Sequence, residues 1–359
     1  FLPGDGAAIG GPIVADPRVS GVVFTGSTEV ALAINRALAR RARGHPPLIA
    51  ETGGQNAMIV DSTALPEQVV RDAVVSAFQS AGQRCSALRV LFIQEDVAGR
   101  IIDMLAGAMD ELQVGDPALL ATDVGPVIDE EAQAMLEGHI KRMRSDGRLI
   151  ARARLGSGTE RGTFVAPAAF EIDRLSLLQR EVFGPVLHVI RYPADRLPQV
   201  IEAINDTGYG LTLGIQTRID ATWRFIFDRV RIGNTYVNRN QIGAAVGVQP
   251  FGGQGRSGTG PKAGGPHYLH RFVASRPVSG HAAGSTPAQV QTPRAQIATL
   301  ADVRVDRTSL DGALRAAEAA QSSWSLTSEE QRAAWLERSA TAVESAPEAI
   351  AGASPGGAA

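Results

Sequence analysis

Two hydrophobic periods alternate along the first 240 residues. Val19 to Phe24 is a short apolar, β-branched run, broken by Thr25-Gly26-Ser27-Thr28. From Glu29 onward Val30, Ile34, Ala37 and Leu38 return at helical spacing. Ser27 reads as the N-cap of that helix, with Glu29 in its first turn. Pro47 to Ala50 predicts a short strand that runs into Glu51-Thr52-Gly53-Gly54. Over 67–81, Val70, Val74, Ala77, Phe78 and Ala81 share one face, which predicts a helix that Gly82 stops. Strands follow at Leu88–Ile93, Val182–Tyr192 and 211–217. Helices are expected near Asp96–Leu112, Asp129–Ser145, 198–206 and 221–230. Strand and helix in alternation predict an α/β protein with a mainly parallel sheet.

After Asn240 the pattern gives way to a Gly-rich stretch over 243–266. Such a density of Gly in one loop points to backbone passing close to a ligand or to another strand. Residues 278–294, rich in Ser, Thr, Pro and Gln, read as a linker. A separate helical pattern with Trp324 and Trp335 covers 309–345, and the small residues from Ala351 to Ala359 read as a disordered tail. Lys and Arg number 35 against 37 Asp and Glu, which argues against nucleic-acid binding by bulk charge. One Cys excludes an internal disulfide scaffold and a Cys-rich zinc site. No uncharged apolar run reaches the length of a transmembrane helix, and no signal-peptide pattern opens the chain, so a cytoplasmic location is expected. The first residue is Phe, and the chain is expected to begin partway through a longer protein.

Few residues stand out chemically. Cys85, between Arg84 and Ser86, is either a nucleophile whose thiolate a nearby Arg favours or a small buried apolar residue. Glu51, at the carboxyl end of a strand, is either a general base facing a ligand crevice or a surface Glu in a turn. The Thr25–Thr28 turn is either a phosphate site at a helix N-terminus or an ordinary Ser-capped turn. It is neither the dinucleotide fingerprint nor a P-loop. His267 and His270 lack a third ligand nearby and do not read as a metal site.

Together these segments resemble the aldehyde dehydrogenase superfamily. The motifs come in order: Phe24-Thr25-Gly26-Ser27-Thr28-Glu29, Glu51-Thr52-Gly53-Gly54-Gln55-Asn56, Gly82-Gln83-Arg84-Cys85, Glu181-Val182-Phe183-Gly184-Pro185-Val186, Asn205 to Leu211, and Pro250-Phe251-Gly252-Gly253. The 34-residue spacing from Glu51 to Cys85 also resembles the family. Thr52 stands where the family usually has Leu, and Ala31 where it has Gly. More finely, the stretches Gly82–Leu91, Tyr236–Ala244 and Gln249–Tyr268 are similar to the L-glutamate-γ-semialdehyde dehydrogenase part of bifunctional proline-utilisation flavoenzymes.

The resemblance implies an aldehyde-dehydrogenase-like α/β fold: a partial Rossmann-type cofactor domain, an α/β catalytic domain and a C-terminal helical extension. The expected parts are the C-terminal portion of an NAD-binding domain (1–53), the catalytic domain (54–253), an anchor-loop exit and oligomerisation tail (254–277), a linker (278–308), a helical segment resembling the start of an appended aldehyde-dehydrogenase-like domain (309–346) and a disordered tail (347–359). The upstream half of the cofactor domain is expected to be missing, together with the family's oxyanion-stabilising Asn.

By resemblance, Cys85 is the nucleophile and Glu51 the general base. Gly26, Ser27, Thr52, Gly53, Glu181 and Phe183 hold NAD, and Ser86, Gly243, Ala244 and Phe251 hold the substrate. No metal is implied, and FAD belongs only to the family's proline dehydrogenase part. The implied reaction is NAD-dependent oxidation of L-glutamate γ-semialdehyde to L-glutamate, the second step of proline catabolism, in a homo-oligomer that takes a small molecule and no nucleic acid. The alternatives are an aldehyde dehydrogenase for another aldehyde, or a catalytically incompetent fragment.

Overall fold

The computed structural model describes residues 4–41, 46–273, 312, 315–316, 319–320, 323–324 and 326–345. The chain divides into two units, Phe1–Ala274 and Ser275–Ala359. The expected linker over 278–308 and tail over 347–359 lie outside the described residues.

The first unit is built on a seven-stranded sheet, described here in chain order. Its strands are β3 (Ala57–Val60), β4 (Val90–Gln94), β5 (Arg148–Arg152), β6 (Ala168–Glu171), β7 (Val186–Tyr192), β9 (Thr212–Gln216) and β10 (Asn234–Val237), arranged β10-β9-β3-β4-β7-β6-β5. All pairs are parallel except β5–β6 at one edge. The central strands are buried along almost their whole length, and β3 and β4 accordingly read as apolar runs without alternation. That is why β3 escapes a periodicity search: four consecutive apolar residues carry no period. Helices α3 (Pro66–Phe78), α4 (Glu95–Asp110), α5 (Glu130–Asp146) and α6 (Leu197–Asp206) each bury an apolar stripe.

Several elements have other bounds than expected, and two of these differences have clear local reasons. Helix α3 stops at Phe78 because Ser80, Ala81 and Gly82 all take left-handed backbone (φ 57°, 51° and 64°). The strand expected from Val182 starts only at Val186, because Gly184-Pro185 interrupts it.

A second, smaller sheet pairs β1 (Val22–Thr25) with β2 (Leu48–Glu51) in parallel, Thr25 opposite Glu51. Helix α1 (Gly11–Ala15) precedes β1 and helix α2 (Thr28–Ala39) follows it as expected, with Ser27 Oγ accepting from the Val30 N–H at 3.2 Å. Val14, Ala31, Leu38, Leu48 and Ala50 form its own small core. The other side of β2 is covered by the Gly-rich loop. Thr52 N–H donates to Ser257 O, Thr259 N–H to Ala50 O, and Glu51 bridges to Gly258. A two-residue pair, β8 (Tyr209–Gly210) with β11 (Gln254–Gly255), ties that loop down.

In the second unit a 17-residue helix, Glu329–Ser345, starts at a reciprocal cap in which Gln331 N–H donates to Ser328 Oγ and Ser328 N–H to Gln331 Oε1. The Trp324 and Trp335 rings lie 5.2 Å apart.

Candidate active site

Cys85 sits on a turn between α3 and β4 that many bonds fix. Gly82 must lack a side chain there, because a Cβ would overlap the Gly184 carbonyl. Ala87 N–H donates to Arg84 O and Leu88 N–H to Ser76 O. Asn56 braces the turn from below: its Nδ2 donates to Cys85 O at 2.6 Å and Ala87 O at 2.9 Å, while its Oδ1 accepts from Thr212 N–H. The carbonyl of Ser86, itself buried, accepts from Thr212 Oγ1 at 3.1 Å and from Gln241 Nε2 at 3.4 Å.

The cation that serves this turn is Arg89 and not Arg84. The Arg84 side chain turns aside to Ser80 Oγ. Arg89 is 1% exposed, and its guanidinium donates to Gly82 O, Gly184 O, Arg84 O and the Glu181 carboxylate (3.0 Å). Cys85 is a free, half-buried thiol whose pKa is raised, first by burial and then by the nearby Glu181 charge. The Ser86 N–H and Arg89 pull the other way. The resting group is therefore a thiol, and the lowering by an adjacent Arg that the sequence suggests is outweighed by desolvation.

Glu51, at the end of β2, packs its carboxylate on glycine backbone. Gly253 N–H donates to Oε2 at 2.8 Å, and Cβ atoms on Gly252 or Gly258 would lie 2.8 or 3.0 Å from Oε1. Oε1 is buried without a partner. Burial pushes the Glu51 pKa up to about 7, and its charge is felt at Cys85. A carboxylate of that pKa divides between acid and base near neutrality, and the free Oε1 leaves one acceptor for a water. The Pro250-Phe251-Gly252-Gly253 motif has a clear physical task here: it makes room for Glu51.

Glu181 and Gly53 meet face to face, since a Cβ on Gly53 would overlap Glu181 Oε2. Burial raises the Glu181 pKa against the pull of Arg89 and the Gly54 N–H. Phe183 lies under the Arg89 guanidinium, 5.2 Å from ring centre to charge. Gly26 donates its N–H to Glu51 O. Thr52 Oγ1 donates to Arg256 O at 2.6 Å, so this hydroxyl braces the Gly-rich loop. Gly243 has left-handed backbone (φ 75°) and is exposed, and Ala244 is half-buried. Gln241 links that segment to the Ser86 carbonyl, and Phe251 pairs with Ala263.

A cleft of about 700 Å³ opens between the first turn of α2 and the loop before Glu181. Glu29, Arg142, Arg174, Arg180 and Arg256 are among the residues that line it. Four arginines beside a helix N-terminus suit an anionic dinucleotide.

Arg89, Asn56, Thr212 and Gln241 escape the sequence reading as site residues. Arg89 had a signal: a charged residue in a run of buried strand residues is rarely left unpaired.

A model of the aldehyde dehydrogenase family matches residues 1–278. The bifunctional protein PutA of Escherichia coli is 58% identical over 287 residues, 78% of this chain and 22% of that protein. The 1-pyrroline-5-carboxylate dehydrogenase of Geobacillus kaustophilus is 38% identical over 288 residues, 78% of this chain and 54% of that one. Among solved structures, a Bradyrhizobium japonicum proline utilization A mutant gives a TM-score of 0.73 at 61% identity, covering 75% of this chain and 27% of that one. A Thermus 1-pyrroline-5-carboxylate dehydrogenase with bound NAD gives 0.71 at 37% identity, covering 76% and 53%. The chain thus spans about a fifth to a half of the length of the curated relatives it matches.

Proposed function

The chain belongs to the aldehyde dehydrogenase family, and on that premise we propose that it carries the catalytic thiol for NAD-dependent oxidation of L-glutamate γ-semialdehyde to L-glutamate. The observation that carries the reading is the pairing of one half-buried thiol with a dry carboxylate poised near pH 7 that keeps an unpartnered oxygen. The relatives named 1-pyrroline-5-carboxylate dehydrogenase and PutA support the substrate class, and the Thermus relative with bound NAD supports NAD over NADP.

Cys85, once deprotonated, attacks the aldehyde carbon and holds the carbonyl carbon as a hemithioacetal. The Cys85 N–H stabilises the oxyanion. When bound, the nicotinamide supplies the hydride acceptor that leaves a thioester on Cys85. Glu51 then takes a proton from a water as that water attacks the thioester carbon, releasing the carboxylic acid and the Cys85 thiol. Glu181 and Phe183 orient the nicotinamide ribose and ring, and Ser27 with the α2 N-terminus holds the pyrophosphate. Ser86, Gly243 and Ala244 offer polar groups to the substrate α-carboxylate, the left-handed Gly243 turning its neighbours' N–H groups toward an anion. Phe251 packs on the aliphatic middle.

Cys85→Ala tests the reading. NAD-dependent oxidation of glutamate semialdehyde should fall by at least ~10³-fold while NAD binding persists. NADH production near the wild-type rate would exclude Cys85.

A further inference from the structure

Behind the nucleophile turn lies a buried chain of hydrogen bonds that the proposed reaction does not use. His139 on α5 belongs to that helix's buried stripe with Leu136, Ile140 and Met143. His188 on β7 is fully buried between Leu187 and Val189. Their Nε2 atoms are 2.9 Å apart, with the rings edge to face. Arg142 Nη2 lies 2.8 Å from His139 Nδ1, and His188 Nδ1 lies 3.0 Å from Arg89 O.

The two ends fix the direction of every proton. A guanidinium only donates, so His139 Nδ1 accepts and its Nε2 carries the hydrogen. His188 Nε2 then accepts, and its Nδ1–H donates to a carbonyl that can only accept. Both ends demand the same order: Arg142 to His139 to His188 to Arg89. The Arg89 carbonyl also accepts the His188 N–H at 3.0 Å, so His188 supplies hydrogen bonds to it from both main chain and side chain.

We propose that His139 and His188 are positioning residues for Cys85: the one-way chain fixes Arg89, whose guanidinium holds the Cys85 turn and Glu181 together. The proposal rests on the reading of Cys85 as the nucleophile. Neutral imidazoles are a condition of the chain, because a second proton on either ring would oppose a donor already in place. The surroundings enforce it. Burial depresses both imidazoles, and the charges facing His139 are Arg142 and Arg180, those facing His188 Arg89 and Arg142. Arg142 also lines the cleft assigned to the dinucleotide, so the chain runs from that cleft to the nucleophile turn.

The test uses the intact protein and two readouts. Long-range ¹⁵N spectra of imidazole-labelled protein should show His139 as the Nε2–H tautomer and His188 as Nδ1–H. The opposite tautomers would overturn the chain. The pH dependence of Cys85 alkylation by iodoacetamide reads positioning without any aldehyde. His188→Leu should move its midpoint up by about half a pH unit or more, as Arg89 loosens from the thiol and Glu181. It should also lower kcat about tenfold with less than a twofold change in KM. His188→Asn, which keeps a donor where Nδ1 stands, should restore most of both. Arg142→Met, at an exposed position, serves where the Leu variant does not fold, and should scramble the tautomers and move the midpoint in the same direction. An alkylation profile unchanged in the folded variants overturns the proposal even if aldehyde oxidation is intact. A shifted profile in a protein that oxidises no aldehyde upholds the positioning and removes the reaction.

Discussion

Two glutamates beside one thiol differ in their surroundings, and the difference suits them to different proposed tasks. Glu181 is ion-paired to a buried guanidinium and seated on Gly53. Glu51 has only one N–H, a wall of glycine and an oxygen without a partner. The first suits fixed binding and the second proton transfer. The substrate end depends on single residues as well. Ala244→Asp would set a negative charge beside the substrate carboxylate. Like charges about 4 Å apart repel by about 1 kcal/mol in water and about 4 kcal/mol at an effective dielectric of 20. The kcat/KM for glutamate semialdehyde should drop by roughly fivefold to several hundredfold. A neutral aldehyde of similar length should lose much less. Equal losses for both would show a damaged loop instead of a carboxylate anchor.

At the scale of elements, the nucleophile turn depends on backbone that an ordinary side chain resists. Gly82→Ala would force a Cβ into left-handed backbone, at about 1–2 kcal/mol, and push on the Gly184 carbonyl that Arg89 holds. The melting temperature should fall by roughly 2–8 °C, with loss of aldehyde oxidation. A variant that melts and turns over like wild type would show the turn to be slack. This turn also marks where legibility ended. Helix α2, with its Ser27 cap and clean period, was readable from sequence, and Cys85 and Glu51 stood out as candidates because their motifs are local. The end of α3 was not, because Ser80 and Ala81 carry no compositional sign of positive φ. Nor were Arg89, His139 and His188, whose roles depend on partners 92, 49 and 99 positions away. Strand β3 hid behind its own burial.

For the molecule as a whole, buried titratable groups set the pH range of stability. The His139 and His188 pKa values lie below the ordinary 6.5 in the fold, so the unfolded chain binds their protons first. Their contribution is present above about pH 6.5 and is lost as the pH falls toward about 4, where His139 titrates. Glu51 works in the opposite sense, its contribution fading as the pH rises from 4.5 to about 7. The two depressed imidazoles outweigh Glu51 and the likewise raised Glu181, which predicts a net fall in melting temperature between pH 6.5 and 4, shallower in His188→Asn. A flat profile in the wild type would mean that neither ring is held neutral. Among the described residues no helix is long and apolar enough to cross a membrane.

The central claim is that Cys85 forms the thioester and Glu51 removes it. Its most direct test is a single-turnover experiment on Glu51→Gln, in which glutamate semialdehyde and NAD are mixed with the protein, NADH is followed, and the quenched protein is analysed by peptide mass spectrometry. The expected result is a burst of about one NADH per site, slow turnover afterwards, and a glutamyl adduct on the Cys85 peptide. Steady turnover at the wild-type rate, or a burst with the adduct on another residue, would contradict it.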